Sequence, residues 1–185
     1  KSQQNNDGKI IDGGTSEWAL MALVADNINP AEIKISETSL LDYIKNYNLT
    51  DSSELNKCAG YPRHIMAFYT AGLPIGKLVQ EMKDACYLNH QYGESSINDD
   101  LFALIALMAT GANPSDEIIT DIVSSTYEDQ NAADGSFGVG EYKADITGAM
   151  INALKYAQKK GANIDNSVIE KAKQYLKSQQ LADGG

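Results

Sequence analysis

Basic residues are in short supply in this chain: 15 Lys and Arg stand against 25 Asp and Glu, a formal charge of −10 over 185 residues. Such an excess of negative charge repels phosphate backbones and anionic headgroups, so neither nucleic acid nor a membrane surface is an expected partner. No apolar run approaches the roughly 20 residues a bilayer-spanning helix needs, and no membrane insertion is expected. Cysteine is limited to Cys58 and Cys86, too few for a disulfide scaffold, and the sequence leaves open whether they join. An initiator Met and a signal-peptide pattern are both missing, which leads us to expect a piece of a longer protein. What is present, 43% hydrophobic and 22% charged, is an ordinary globular composition with enough length for one domain and a substantial core.

The first eight residues read KSQQNNDG, and Lys177 to Gly184 read KSQQLADG. A third copy of the ending, Gln130-Asn-Ala-Ala-Asp-Gly, lies between them. Fixed spacing of this kind marks an internal repeat. Helix C-caps, where Gly or Asn turns left-handed, are expected at Asn27, Gly72, Gly111 and Gly161. Nineteen residues after each cap comes a carboxamide: Asn46, Gln91, Gln130 and Gln180. Lys1 and Lys177 stand 176 residues apart, which makes four units of 44 on average. The rest of each unit varies in length, so a constant helix alternates with an elastic loop that leads into a second helix.

The two helix classes differ in chemistry. EWALMALVA, RHIMAFYTA, DLFALIALMATG and DITGAMINALKYA are apolar nearly all round and are expected to be buried on most sides. LLDYIKNY, IGKLVQEMKDACYL, SDEIITDIVSSTYED and NSVIEKAKQYLKSQ are amphipathic and are expected to form a solvated outer layer. Pro30, Pro74 and Pro114 come after the first three caps and suit the first turn of the next helix. The expectation is an all-α chain, residues 1–185 as a single domain of about four helical hairpins. No strand pattern competes.

LKSQQLADGG and DQNAADGSFG, with Tyr175-Leu176 before Gln180 and Phe137 after Gly135, resemble the repeat of the prenyltransferase and squalene-cyclase superfamily. That resemblance implies an α/α toroid, inner helices around a central cavity and outer helices antiparallel to them. Complete members use five to seven hairpins, so about four here imply a partial ring. The match is close in the first and last units and loose in the middle two, where Asn46 lacks a following Asp-Gly and Gln91-Tyr-Gly-Glu lacks the Asp. Fold alone does not fix function, and each chemistry of the family needs its own residues.

Protein prenyltransferases hold zinc through Asp, Cys and a distant His. Asp84-Ala-Cys86-Tyr87 has the Asp-x-Cys look, but it sits at the end of an outer segment, with His90 only four residues on. A zinc centre needs three well-placed ligands, so no metal and no cofactor are expected. Terpene and squalene cyclases use an Asp-x-Asp-Asp acid. The nearest stretch, Ile97-Asn98-Asp99-Asp100, offers Asp99 and Asp100 as weak catalytic candidates, although carboxylates also favour any helix N-terminus. The Cys-Gly-Glu-Gln of thioester proteins has no counterpart. Gly13-Gly14 and Gly138-x-Gly140 lack phosphate-loop context and read as turn residues.

The Gln is expected to clamp backbone carbonyls where hairpins meet, and the Asp-Gly to make a tight turn. The functional face is expected at the loop rim, with ligand-binding candidates Glu17, Trp18, Tyr61, Arg63, His64, Asp99, Asp100, Tyr142 and Asp145. The sequence thus points to a non-catalytic binding or scaffolding module of a secreted or cell-surface bacterial protein, with a corrinoid-carrier-like ligand binder as one version. A cyclase-like or prenyltransferase-like enzyme acting on isoprenoids is the alternative. Expected partners are a neighbouring domain of the same protein, a protein or small-molecule ligand, or a second copy docked through an open repeat end.

Overall fold

The structure, a computed structural model, describes residues 3–50, 56–93 and 97–184. Among the described residues are eight α-helices, two 3-10 turns and one two-stranded sheet with two residues in each strand, so the fold is all-α apart from that sheet. The chain divides into two compact units, residues 1–85 and 86–185. No helix among the described residues is long and apolar enough to cross a membrane.

The first unit holds α1 (Gly13–Ala25), α2 (Leu40–Asn46), α3 (Lys57–Thr70) and α4 (Leu78–Cys86), with a 3-10 turn at Pro30–Glu32. Side-chain caps start three of these helices. Asp12 accepts from Thr15 N–H, Asn56 from Ala59 N–H, and Ser39 forms a reciprocal capping box with Asp42. α1 packs against α3, and α2 against α1. Leu20, Leu40, Ile44 and Ala67 form the fully buried core between them.

The second unit begins with a hairpin of β1 (Tyr87–Leu88) and β2 (Gln91–Tyr92). It continues with α5 (Ile97–Ala109), α6 (Glu117–Glu128), a 3-10 turn at Gly140–Tyr142, α7 (Lys143–Lys159) and α8 (Asn166–Gln179). α5 packs on α7, α6 on α5, and α8 on α7. Leu101, Leu104, Leu107, Phe137, Met150, Leu154 and Ile169 are sealed in its core. Each large apolar side chain so buried is worth about 1.5–3 kcal/mol.

All four expected C-cap positions are left-handed: Asn27 (φ 59°), Gly72 (φ 68°), Gly111 (φ 86°) and Gly161 (φ 102°). The glutamine clamp is equally concrete. Gln4 Nε2 donates to the carbonyl of Gly8 (2.9 Å), in its own turn, and to that of Ile33 (2.8 Å), ahead of α2. Gln130 Nε2 donates to Gly135 (3.0 Å) and to Val168 (2.8 Å), in the first turn of α8. Gln180 makes the turn contact, to Gly184 at 3.1 Å. Glycine is required at Gly8 and Gly135, since φ is positive and a Cβ would strike the carbonyl of Ser39 or of Lys171. The next hydroxyl is shared as well. Ser16 Oγ bonds both N–H and C=O of Ile10, and Thr147 Oγ1 does the same to Phe137.

Four expectations need correction. Asn46 and Gln91 are not clamps: Asn46 Nδ2 donates to Asp42 within its own helix, and Gln91 belongs to β2. Neither residue is succeeded by an Asp-Gly turn, so each lacks the carbonyl that a clamp could hold. The outer segment containing Cys86-Tyr-Leu does not stay helical to its end. Asn89 (φ 51°) and His90 (φ 64°) form a two-residue reversal in place of the expected helix, and Leu88 pairs with Gln91 across it. The prolines do not open the outer α-helices. Pro30 starts the 3-10 turn, while α2, α4 and α6 begin later, at Leu40, Leu78 and Glu117. Finally, α1 is less buried than its composition suggests: four of its 13 residues are buried, against eight of 13 in α5, and Trp18 is 46% exposed.

Candidate functional site

In the first unit the sequence candidates Glu17, Arg63 and His64 meet. Glu17 lies on α1 with its side chain fully buried. Its Oε2 accepts from Arg63 Nε at 2.6 Å, and its Oε1 lies 2.5 Å from His64 Nδ1, both partners coming from successive residues of α3. Both carboxylate oxygens are thereby used, which is what a buried charge requires. His64 is further fixed by rings, with Phe68 at 4.6 Å and Tyr47 edge-on at 5.7 Å.

This triad backs a cavity of about 590 Å³ lined by Lys9, Asp12, Trp18, Tyr43, Tyr47 and Arg63 together with the start of α1. Tyr43 and Tyr47 stack at 5.7 Å, four residues apart where α2 ends. Gly13 and Gly14 are part of the construction and not simple turn residues. A Cβ on Gly13 would run into the Tyr47 ring, and one on Gly14 would come to 3.1 Å from Arg63 Cζ. The two glycines let an aromatic ring and a guanidinium lie against the helix start. Asp12 is held below the usual carboxylate range by the Thr15 N–H and hydroxyl, so the rim carries a fixed negative charge beside Lys9 and Arg63. Burial raises the Tyr43 phenol to about 12, which keeps it a neutral donor. Tyr61 is buried and, with His64, lines a smaller cavity of about 260 Å³ in the same unit.

In the second unit Asp99 and Asp100 occupy the first turn of α5, and both are buried. Asp100 Oδ2 accepts from Ser125 of α6 at 2.9 Å, while Oδ1 has no hydrogen-bond partner among the described residues. Burial lifts Asp100 to about 7, helped by the negative charges of Asp129 and Asp99 and opposed by the Ser125 hydrogen bond. The acid therefore faces α6. A cavity of about 700 Å³ does adjoin the start of α5, but Ile97, Asn98, Asp129, Val139, Tyr142 and Asp145 line it, not the aspartate pair. Tyr142 and Asp145 are thus together, both exposed, in the wall they share with Asn98.

Sequence reasoning alone does not pick out Tyr43, Tyr47, Lys9 and Asp12. The two tyrosines stand four apart on a segment whose charges mark it as outer surface. Their spacing is the available signal, since a pair of rings on one face of a solvated helix needs something to cover. No family model, curated protein or solved structure matches the chain.

Proposed function

We propose that this chain is a non-catalytic binding or scaffolding module, with helical hairpins set side by side in the manner of the squalene-cyclase-like α/α toroids. The cavity of the first unit carries the binding part of this reading: a positive Arg63, a stacked tyrosine pair and the edge of Trp18 around about 590 Å³. Such a lining suits a polar, ring-bearing ligand held by aromatic area and by hydrogen bonds from the rim. A corrinoid, with its flat ring and polar side arms, is one candidate of that description. The hairpin reading is supported by inner-against-inner packing in each unit (α1 on α3, α5 on α7) and by the repeated glutamine clamps. A secreted or cell-surface location in a bacterium is the accompanying proposal. It is supported by the oxidised state of Cys58 and Cys86, which are disulfide-bonded, as suits an oxidising compartment. A neighbouring domain or a second copy is the proposed partner of an open repeat end, and the particle mass from solution scattering tests it.

Trp18 is the sole tryptophan and lines the cavity, so its fluorescence reports occupancy directly. Titration with aromatic carboxylates, short saccharides and a corrinoid should give saturable change with one of these classes, weakened about tenfold by Tyr43→Ala. Binding that ignores Tyr43→Ala, or no response across the panel, removes the cavity from the proposal.

The isoprenoid-enzyme reading draws on one observation, a buried Asp100 raised to about 7. A cyclase acid must protonate substrate, however, and Asp100 is engaged with Ser125. Incubation with squalene or prenyl diphosphates should yield no product that disappears in Asp100→Asn. Detection of such a product would make the enzyme the better account.

A further inference from the structure

Outside these three cavities, the β1–β2 hairpin brings a side chain to α6 that neither the repeat nor the proposed function uses. His90 Nδ1 lies 3.3 Å from Glu117 Oε1 and 3.1 Å from Asp121 Oδ2. Glu117 and Asp121 are one turn apart on α6, so both carboxylates leave the same face of that helix. The three donor atoms all lie within 4.8 Å of one another. A four-coordinate ion with ligands at about 2.0–2.2 Å sets neighbouring donors about 3.3–3.5 Å apart, close to the spacing seen from the imidazole to each carboxylate.

We propose that His90, Glu117 and Asp121 form a binding site for a divalent transition ion of the zinc class. One imidazole nitrogen and two carboxylate oxygens are a borderline donor set. Calcium would want six to eight oxygens and no nitrogen, so it is disfavoured. The donors come from two elements, and two of them, His90 and Asp121, are held by backbone or side chain. His90 stands at the second corner of the reversal with φ 64°, a conformation that points its ring back toward α6 and that glycine would adopt more easily. Tyr87 Oη donates to Asp121 Oδ2 at 2.5 Å and fixes that carboxylate's orientation, as groups behind metal ligands do. Burial and this hydrogen bond push the Tyr87 hydroxyl up to about 12, so it remains a donor. The fourth position opens to water, since His90 and Glu117 are both exposed. The chain's overall negative charge raises the local concentration of any dication.

This is a different set from the Asp84, Cys86 and His90 suggested by sequence spacing. Cys86 is tied up in a disulfide, and His90 has turned toward α6. What sequence spacing cannot supply is closure of the 26 residues between His90 and Glu117, which only the fold provides.

The test is calorimetric titration of the full chain with Zn²⁺ alone, with Co²⁺ absorption as a second readout. One Zn²⁺ per chain is expected, and Co²⁺ should show the visible bands of a four-coordinate nitrogen–oxygen site. His90→Gly should abolish that stoichiometry while relieving the turn, so loss of binding with a retained or raised Tm separates ligation from folding. Glu117→Gln should weaken binding at least about tenfold, and Tyr87→Phe by a smaller factor through Asp121. Asp84→Asn, on α4, should change nothing. One-to-one binding that survives His90→Gly, or the absence of any site in the unaltered chain, overturns the proposal; in that case the trio is a surface hydrogen-bonded cluster.

Discussion

The two units bring paired helices together by different means. In the second, α5 presents Leu101, Ala103, Leu104, Ala106, Leu107 and Met108, all buried, and α7 answers with Met150, Ala153, Leu154 and Ala157. In the first, a fully buried carboxylate, a guanidinium and an imidazole join a smaller apolar contact of Leu20 and Ala67, and α1 keeps much of its surface exposed. Apolar packing is forgiving about direction; a three-member polar contact is not. The first unit trades burial for orientation, and its cavity is walled by the groups that the trade fixes in place.

Breaking the triad is the sharpest probe of that contrast. Glu17→Ala takes the carboxylate away from the buried His64 and the part-buried Arg63 and should cost about 3–5 kcal/mol, measured by urea unfolding. Replacing all three members with apolar residues of similar size should recover most of that loss while abolishing the ordering of the cavity wall. Recovery failing in the triple variant would show that the first unit depends on polarity for stability itself and not only for orientation.

Asp100 sharpens the comparison from the other side, as a polar group in the apolar unit. Its folded-state value of about 7 lies above the ordinary 3.8, so the folded protein holds the proton more tightly than the unfolded chain. Stability from this group is present in full below about pH 4 and is lost as pH rises towards 7. Asp100→Asn should therefore be nearly neutral at pH 4 and stabilising by a few kcal/mol at pH 8, read from unfolding curves at both pH values. Equal effects at both would mean that Asp100 stays ionised in the fold.

The clamps give the smaller effects, and they should be similar in the two units. Gln4→Ala and Gln130→Ala each release two carbonyls and should cost about 1–3 kcal/mol. Gln180→Ala, exposed and with one turn contact, should fall within about 0.5 kcal/mol. A loss at Gln180 as large as that at Gln4 or Gln130 would show that it holds more than its own turn.

Helix class and cap positions are legible in the sequence because they are local: a left-handed Gly or Asn and a run of Ala, Leu and Met report on their own surroundings. Gln4 and Gln130 are legible through repetition, which reveals a shared geometry without revealing its partners. The failures come at non-local steps. Asn46 and Gln91 sit at the right interval, yet the turn that would give them something to hold is not encoded after them. Glu17, Arg63 and His64 each read as rim residues, but nothing in their spacing says that α1 and α3 bring them into one contact. Tyr43 and Tyr47 are hidden by the charged residues around them.

The clamps also bear on the order of folding. Gln4 and Gln130 reach carbonyls 29 and 38 residues further along the chain, so each contact closes a loop that has to collapse first. Helices and their adjoining turns can form early, and the hydrogen bond from the side-chain amide to the distant carbonyl is expected late, after the transition state. Substitution at a clamp then hastens unfolding and leaves the refolding rate nearly untouched, so the glutamines act as latches on a finished structure and not as its nucleus.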